Sequence, residues 1–313
     1  MVKPIRIGTR GSALALWQAT FVENKLKEYF PDIKLERVII KTQGDRDQKS
    51  SLTRIGGQGL FTKTIEEALL QNQIDIAVHS LKDLPSAMSE GLMLAAIPQR
   101  GPVQDVLITR AGQKLNELPE GAKIATGSIR RRCQLLQIRP DLQMADLRGN
   151  IDTRLRKLHE QNLDGIIMAL AAIRRLQITE IQYQIFDVNE MIPAIGQGAI
   201  GIQIRTQDEN LKERLQKLNH LPTYFSVLAE RSLLKTLDTG CQFPVGGLGQ
   251  VTNGRLELVG FVGSTDGKHL IKTRVQGNME QAEKLGVELA NKLIEKGAEK
   301  ILQNFRNEHA LKK

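Results

Sequence analysis

Cysteine is nearly absent from this chain. Two occur among 313 residues, Cys133 and Cys241, too few for a disulfide framework and wrongly spaced for a structural zinc site. Each must therefore be judged singly. Aromatic residues are also scarce, at 4%, which speaks against a protein that stacks nucleic-acid bases. No helix-turn-helix, zinc or RNA-binding motif is visible, so nucleic acid is not expected as a partner. Nowhere do eighteen apolar residues run together, and the opening MVKPIRIGTRGSALALWQ has no signal-peptide core. No membrane span is expected, and the expected location is the cytoplasm.

What remains is ordinary globular material, with 41% hydrophobic and 25% charged residues. The length favours two or three domains, each with its own core. Lys and Arg outnumber Asp and Glu by 44 to 35, a net charge of +9, which favours an anionic partner without naming it.

Along the chain, a strand ending at Arg6 to Gly8 leads into a helix that Ser12 can cap and that runs to Pro31. Leu35 to Ile40 reads as a strand, and Lys41 to Gly59 as a long polar loop of the kind that serves as a lid. Phe61 to Gln71 reads as a helix. Ile74 to Val78 is a short apolar run suited to a buried parallel sheet, and it stops at His79-Ser80-Leu81-Lys82-Asp83. Asn72-Gln-Ile-Asp-Ile-Ala-Val has a loose counterpart in Asn162-Leu-Asp-Gly-Ile-Ile-Met, so the arrangement is expected to occur twice.

The pattern predicts two similar doubly wound α/β domains, of periplasmic-binding-protein-like form, facing a cleft into which strand ends deliver polar residues. Arg100 to Asp105 and Met191 to Gly198 are the crossing segments. The expected division is 1–99 with 199–217, then 104–193, then 221–313. The last is a small α+β domain: a helix from Phe225 to Leu237, three antiparallel strands near 246–251, 255–262 and 269–275 joined by turns at Asn253-Gly254 and Asp266-Gly267, and a helix over Asn278 to Lys296.

Among candidate site residues, Thr126-Gly127-Ser128-Ile129-Arg130-Arg131-Arg132-Cys133 opens a helix with a Gly/Ser turn and three guanidinium groups, a cradle for carboxylate or phosphate. The plain alternative is a solvated helix face. Arg148-Gly149-Asn150 with Arg154, Arg174-Arg175 and Arg10 recur at comparable places. Lys82 and Asp83 follow a strand directly and would enter the cleft together; the alternative is an exposed pair before Pro85. His79 reads as structural, with no second metal ligand, so no metal is expected. Cys133 suits buried packing. Cys241, in the loop Thr239-Gly240-Cys241-Gln242-Phe243-Pro244, is either an accessible nucleophile or another inert thiol.

Seven ordered motifs resemble those of the porphobilinogen deaminases, also called hydroxymethylbilane synthases. They are Gly8-Thr-Arg-Gly-Ser-Ala-Leu-Ala-Leu, Gly56-Gly57-Gln-Gly-Leu-Phe, His79-Ser-Leu-Lys-Asp-Leu-Pro85, Gly127-Ser-Ile-Arg-Arg-Arg-Cys-Gln134, Leu147-Arg-Gly-Asn150, Pro193-Ala-Ile-Gly-Gln-Gly-Ala199 and Glu230-Arg-Ser-Leu-Leu-Lys-Thr-Leu-Asp-Thr-Gly-Cys-Gln-Phe-Pro244.

The resemblance implies a transferase of tetrapyrrole and haem biosynthesis that condenses porphobilinogen head to tail with loss of ammonia and releases hydroxymethylbilane. It implies a dipyrromethane cofactor held as a thioether on Cys241, with Asp83 as the catalytic aspartate and Lys82 assisting. Cofactor contacts fall on Lys82, Asp83, Ser128, Arg130, Arg131, Arg148 and Gly149, and substrate contacts on Arg10, Ser12, Arg148, Arg154 and Arg175. A monomer is implied. The sequence departs from the family pattern at Thr239 and Ala172, where glycine is common, at Phe243, where a smaller β-branched residue is common, and at Gln58, where lysine is common. Two α/β domains about a cleft also describe solute-binding proteins, although those usually carry an export signal.

Overall fold

The computed structural model describes residues 3–42, 44, 62–240 and 242–310. Most of the expected lid, including the Gly56-Gly57 motif, and Cys241 itself lie outside the described residues.

Strands β1 (Ile5–Thr9), β2 (Leu35–Ile39), β3 (Ile76–Ser80) and β4 (Leu92–Ala96), with helices α1 (Ala13–Tyr29) and α2 (Lys63–Leu70), build the first unit. The chain then crosses into β5 (Asp105–Thr109), β6 (Lys123–Ala125), α3 (Ile129–Ile138), β7 (Gln143–Ala145), α4 (Ile151–Glu160), β8 (Gly165–Ala169), α5 (Leu170–Arg175) and β9 (Tyr183–Ile185). It returns through β10 (Ile200–Arg205) and α6 (Glu209–Gln216). The sheets have the orders β2-β1-β3-β10-β4 and β7-β6-β8-β5-β9.

These orders correspond position by position, so the repeat expected from the two Asn-led segments is architectural. Asn72 and Asn162 both take positive φ, 56° and 48°, a conformation asparagine tolerates better than most residues. Each turns its chain into the central strand. Beyond β3 and β8 the sheets become mixed, because β10 and β5 run antiparallel to them. Both arrive from the opposite unit, entering from the other end.

The central strands are apolar on both faces, and helices cover both. Ile7, Ile76 and Val78 pack with Val22 and Leu26 of α1, while Ala77 and Leu92 pack with Ile65 and Leu69 of α2. In the second unit Leu107, Ile124 and Ile167 meet Leu135 of α3, and Val106, Ile166 and Met168 meet Leu158 and Ile173 of α4 and α5. Each fully buried Val, Leu, Ile or Met side chain among these contributes about 1.5–3 kcal/mol. The two crossings touch: the Gly101 N–H donates to the Gly198 carbonyl at 3.0 Å. A Cβ on Gly198 would lie 2.6 Å from the Pro102 carbonyl oxygen at a φ of +82°, so only glycine suits this contact.

The third unit has helix α7 (Leu221–Thr236) packed on the antiparallel strands β11 (Val245–Thr252), β12 (Arg255–Gly263) and β13 (Leu270–Asn278). Asn253 and Gly254, with φ of 50° and 76°, form the expected hairpin turn. α8 (Ala282–Glu295) covers the sheet through Leu285, Leu289 and Leu293.

Three boundaries differ from expectation. α7 begins at Leu221, where His220 caps it and Pro222 sits in its first turn. β13 runs on to Asn278, because its pairing with β12 persists as far as Arg255. The helix expected from Asn278 therefore starts with a short 3₁₀ turn that Asn278 caps. A further helix, α9 (Ala298–Ala310), was not foreseen; Leu302 and Phe305 anchor it.

Candidate active site

β3 delivers the pair singled out in the sequence. At its carboxyl end a 3₁₀ turn, Leu81–Asp83, is fixed by the Leu81 N–H donating to the Ala199 carbonyl at 3.1 Å and the Leu84 N–H donating to the Leu81 carbonyl at 3.1 Å. Leu81 is buried, and Lys82 and Asp83 are half-buried. Both line a pocket with Ser128, Arg130, Gly196, Arg231 and Gly240, so all three units contribute to it. Gly240 immediately precedes Cys241.

Burial pushes the Lys82 amine down to about 8; Arg131 and Arg154 act the same way, while Asp83 and Asp105 oppose. Burial likewise lowers Arg154 to about 10, with Arg131 and Arg148 adding to the effect and Asp83 opposing it. These mutual influences gather Lys82, Asp83, Arg131, Arg148 and Arg154 into one electrostatic neighbourhood, in which the Asp83 carboxylate faces several cations while the buried Asp105 engages Arg131.

The second unit presents its residues on two helix starts. Ser128 caps α3 by accepting from the Arg131 N–H at 3.4 Å, and Asn150 caps α4 by accepting from the Thr153 N–H at 2.9 Å. Gly149 has φ of +112°, and a Cβ there would lie 2.6 Å from the Thr153 side chain. Its carbonyl accepts from Arg154 Nε at 2.8 Å. Arg148 Nη2 is buried and has no hydrogen-bond partner among the described residues. An orphaned buried guanidinium nitrogen is costly unless a ligand acceptor meets it.

The arginine run divides by direction. Arg132 is exposed, which corrects the picture of three convergent guanidinium groups. Arg130 and Arg131 turn inward onto Asp105, which is fully buried: Arg130 Nη2 and Arg131 Nη2 each lie 2.7 Å from it, and Arg131 Nε lies 3.1 Å away. Their remaining contacts include the Ile192 and Ile167 carbonyls. The Asp105 carboxyl is held down at about 2: burial raises it, and the two guanidinium groups more than offset that.

Ser12 caps α1, accepting from the Ala15 N–H at 3.4 Å. Arg10 is half-buried and close enough to His79 to lower it slightly. Arg175 lies at the crossing, donating to the Gly198 carbonyl at 2.6 Å and stacking 5.3 Å from the Trp17 ring of α1. It thus bridges the two α/β units rather than joining the Asp83 cluster.

His79 is buried, and burial lowers it to about 4, so it is neutral. Its Nε2 pairs with Gln203 Oε1 at 3.1 Å, and Gln203 donates to Glu66 at 2.7 Å, in keeping with a structural role. Cys133 is fully buried and its thiol is raised to about 12 by burial, as an inert packing residue should be. Positive φ near the Cys241 loop falls on Asp238, not Thr239, so Thr239 needs no strained backbone. Phe243 packs against Phe305 of the unforeseen α9, with ring centroids 4.8 Å apart, which accounts for its bulk.

Three functional-site features had not been read from the sequence. Asp105 opens the strand Asp-Val-Leu-Ile-Thr, which is buried throughout, a signal that a buried charge needs partners. Glu230 is fully buried against Arg100 and accepts from the Gly196 and Gly249 N–H groups at 2.7 and 2.9 Å. Arg231, inside the quoted loop motif, reaches the turn after Asp83.

Fold and site together define a class: a two-lobed α/β protein with an added C-terminal domain, whose crevice sets one carboxylate among fixed cations suited to a polycarboxylate ligand. Residues 5–213 match the family model described as "Porphobilinogen deaminase, dipyromethane cofactor binding domain", and residues 224–295 match "Porphobilinogen deaminase, C-terminal domain". The chain belongs to the porphobilinogen deaminase family. It is 46% identical over 308 residues to the porphobilinogen deaminase of Pelotomaculum thermopropionicum, covering 98% of this chain and 99% of that one. It is 43% identical over 314 residues to that of Chloroherpeton thalassium, covering 99% and 100%.

Among solved structures, a probable amino-acid ABC transporter extracellular-binding protein from Bacillus subtilis aligns at 11% identity and a TM-score of 0.42, covering 70% of this chain and 90% of that one. An ancestral cationic amino acid solute binding protein aligns at 12% and 0.44, covering 69% and 88%.

Among the described residues no helix is long and apolar enough to cross a membrane, and no group of three or more His, Cys, Asp or Glu is placed to hold a metal ion.

Proposed function

We infer that the chain condenses four molecules of porphobilinogen head to tail, with loss of ammonia, and releases hydroxymethylbilane for tetrapyrrole and haem synthesis. The observation that carries this reading beyond family membership is the convergence of Lys82 and Asp83 with Ser128, Arg130 and Gly240 on one pocket, amid the charges of Arg131, Arg148 and Arg154. A dipyrromethane on Cys241 would supply the primer on which the chain grows. The donor set fits such a group, since an orphaned Arg148 nitrogen and two helix starts offer donors to its acidic side chains.

In this reading Asp83 stabilises the positive charge that develops on the substrate's pyrrole nitrogen as ammonia leaves, and it accepts and returns a proton there. A fixed carboxylate of this kind is worth roughly 3–4 kcal/mol, by comparison with single oxyanion-hole donors. Lys82, Ser128, Arg148, Gly149 and Arg154 bind carboxylates at the second-unit helix starts. Arg130 and Arg131, braced by Asp105, hold that wall in place, and Arg130 lines the pocket beside the cofactor. Arg10 and Ser12 take substrate carboxylates from the first unit, and Arg175 takes one from the second, beside the crossing. Arginine suits these places because its planar fork pairs carboxylates twice and keeps its charge.

The domain division 1–99 with 199–217, 104–193 and 221–313 belongs to this proposal, supported by the three separate sheets. So do a monomeric state and a cytoplasmic location.

The test is Asp83→Asn with cofactor occupancy checked by intact mass. A fall in kcat of about 100-fold or more is expected at full occupancy, in line with the loss of one preorganised charge. Near-normal turnover would remove Asp83 from this role.

A further inference from the structure

Arg231 projects from α7 in the third unit, yet its hydrogen bonds go to the first. Its Nη2 donates to the Pro85 carbonyl at 2.6 Å and the Ser86 carbonyl at 3.0 Å, and its Nη1 to the Leu84 carbonyl at 3.3 Å. These are the three residues that follow Asp83. Nη2 also approaches Met88 Sδ at 3.6 Å. A planar fork suits three convergent carbonyls, whereas an ammonium is a compact point charge on a flexible stem.

The Lys82-Asp83 turn is thereby held from two directions. On its incoming side the sheet fixes it, through β3 and the Leu81 N–H bond to Ala199. On its outgoing side Leu84 is buried among Leu81, Ile97 and Val227, and Arg231 supplies the hydrogen bonds that hold the carbonyls of residues 84–86. The neighbouring residue, Glu230, is locked to Arg100 and to the Gly196 N–H at the crossings, so the helix that carries Arg231 has a fixed seat. The same helix leads within five residues to Cys241.

We propose that Arg231 is a positioning residue for the reaction: by gripping the carbonyls of residues 84–86 it sets the Asp83 carboxylate at a fixed place relative to the helix from which the Cys241 loop departs. The proposal rests on the functional reading above. Arg231 acts through the backbone of another segment and binds no substrate carboxylate itself.

The experiment uses the full-length, cofactor-loaded protein and its Arg231→Gln and Arg231→Lys variants. Intact mass gives occupancy, porphobilinogen consumption gives kcat and KM, and amide hydrogen exchange reads residues 81–90. For Arg231→Gln the expected result is full occupancy and a kcat lower by about 10- to 100-fold, since a displacement near 1 Å costs on that order. KM should stay within about threefold, and exchange should quicken in residues 81–90 while α7 stays protected. Arg231→Lys should recover part of kcat, because one charge-assisted bond to Pro85 can re-form.

Wild-type kcat at full occupancy in Arg231→Gln would overturn the proposal, and so would a KM raised tenfold with kcat kept, which would make Arg231 a direct ligand. If Arg231→Gln does not fold, Arg231→Lys decides: wild-type kcat and unchanged exchange would overturn the clamp. A wild-type protein that consumes no porphobilinogen would defeat the functional reading instead. Exchange in residues 81–90 would still report on the clamp.

Discussion

Replacing Asp105 by alanine removes the one carboxylate between two buried guanidinium groups. Asp105 has no exposed surface, Arg130 is 3% exposed and Arg131 5%. Four donor contacts end on it: one from Arg130, two from Arg131, and one from Gln197 Nε2 at 2.9 Å. Breaking a buried pair from one side costs about 3–5 kcal/mol, because a charge is left without compensation. With roughly 2–4 °C lost per kcal/mol in domains of 150–250 residues, Tm should fall by about 6–20 °C. Calorimetry and urea unfolding measure this directly.

A triple replacement, Asp105→Leu with Arg130→Met and Arg131→Leu, should regain most of the stability, because apolar residues of similar volume replace buried ion pairs without large loss. It should still lack activity, since the guanidinium groups are gone. Acid gives an independent check on the same carboxylate. Its folded value near 2 lies below the ordinary one of 3.8, so its contribution is present above about pH 4 and is lost as pH falls from there toward 2. A Tm for Asp105→Ala within 2 °C of wild type would refute the reasoning, because it would mean that the two arginines find other partners at no cost.

Two other outcomes follow from the same site. Since the folded Lys82 amine sits near 8 rather than 10.5, kcat/KM should fall as pH rises through about 8 and the cation is lost, and Lys82→Arg should flatten that limb. Stability should move the opposite way, rising between pH 8 and 10.5, because there the unfolded chain binds a proton that the folded one has released. Arg148→Ala should lower cofactor occupancy in intact-mass spectra. Its melting temperature should change little or rise, since a buried nitrogen without a partner is removed with it.

Much of this architecture was legible because it rests on local patterns. The apolar runs at β3 and β8 and the asparagine turns before them exposed the repeat, and Asn253-Gly254 located the hairpin. The antiparallel entry of β5 and β10 was not legible, because direction within a sheet depends on where the chain arrives from, not on its local sequence. α9 escaped for a similar reason: Leu302 and Phe305 acquire meaning when the third sheet and Phe243 are in place to receive them.

At the site, Lys82, Asp83 and Ser128 could be recognised from motif and position. What Arg130 and Arg131 do inside the fold could not, since their partner Asp105 lies 25 and 26 residues away in sequence. Arg231 was hidden differently. It contacts backbone carbonyls, which every sequence supplies, so no complementary side chain marks the pairing.

The most direct measurement is the intact mass of the purified protein beside its Cys241→Ser variant, both produced with porphobilinogen available, together with an aldehyde reagent that colours dipyrromethanes. The account predicts an excess mass of two linked pyrrole units, and a positive colour, in the wild-type protein and neither in the variant. An unmodified Cys241 in protein made under those conditions, or an adduct that persists after Cys241 is replaced, would contradict it.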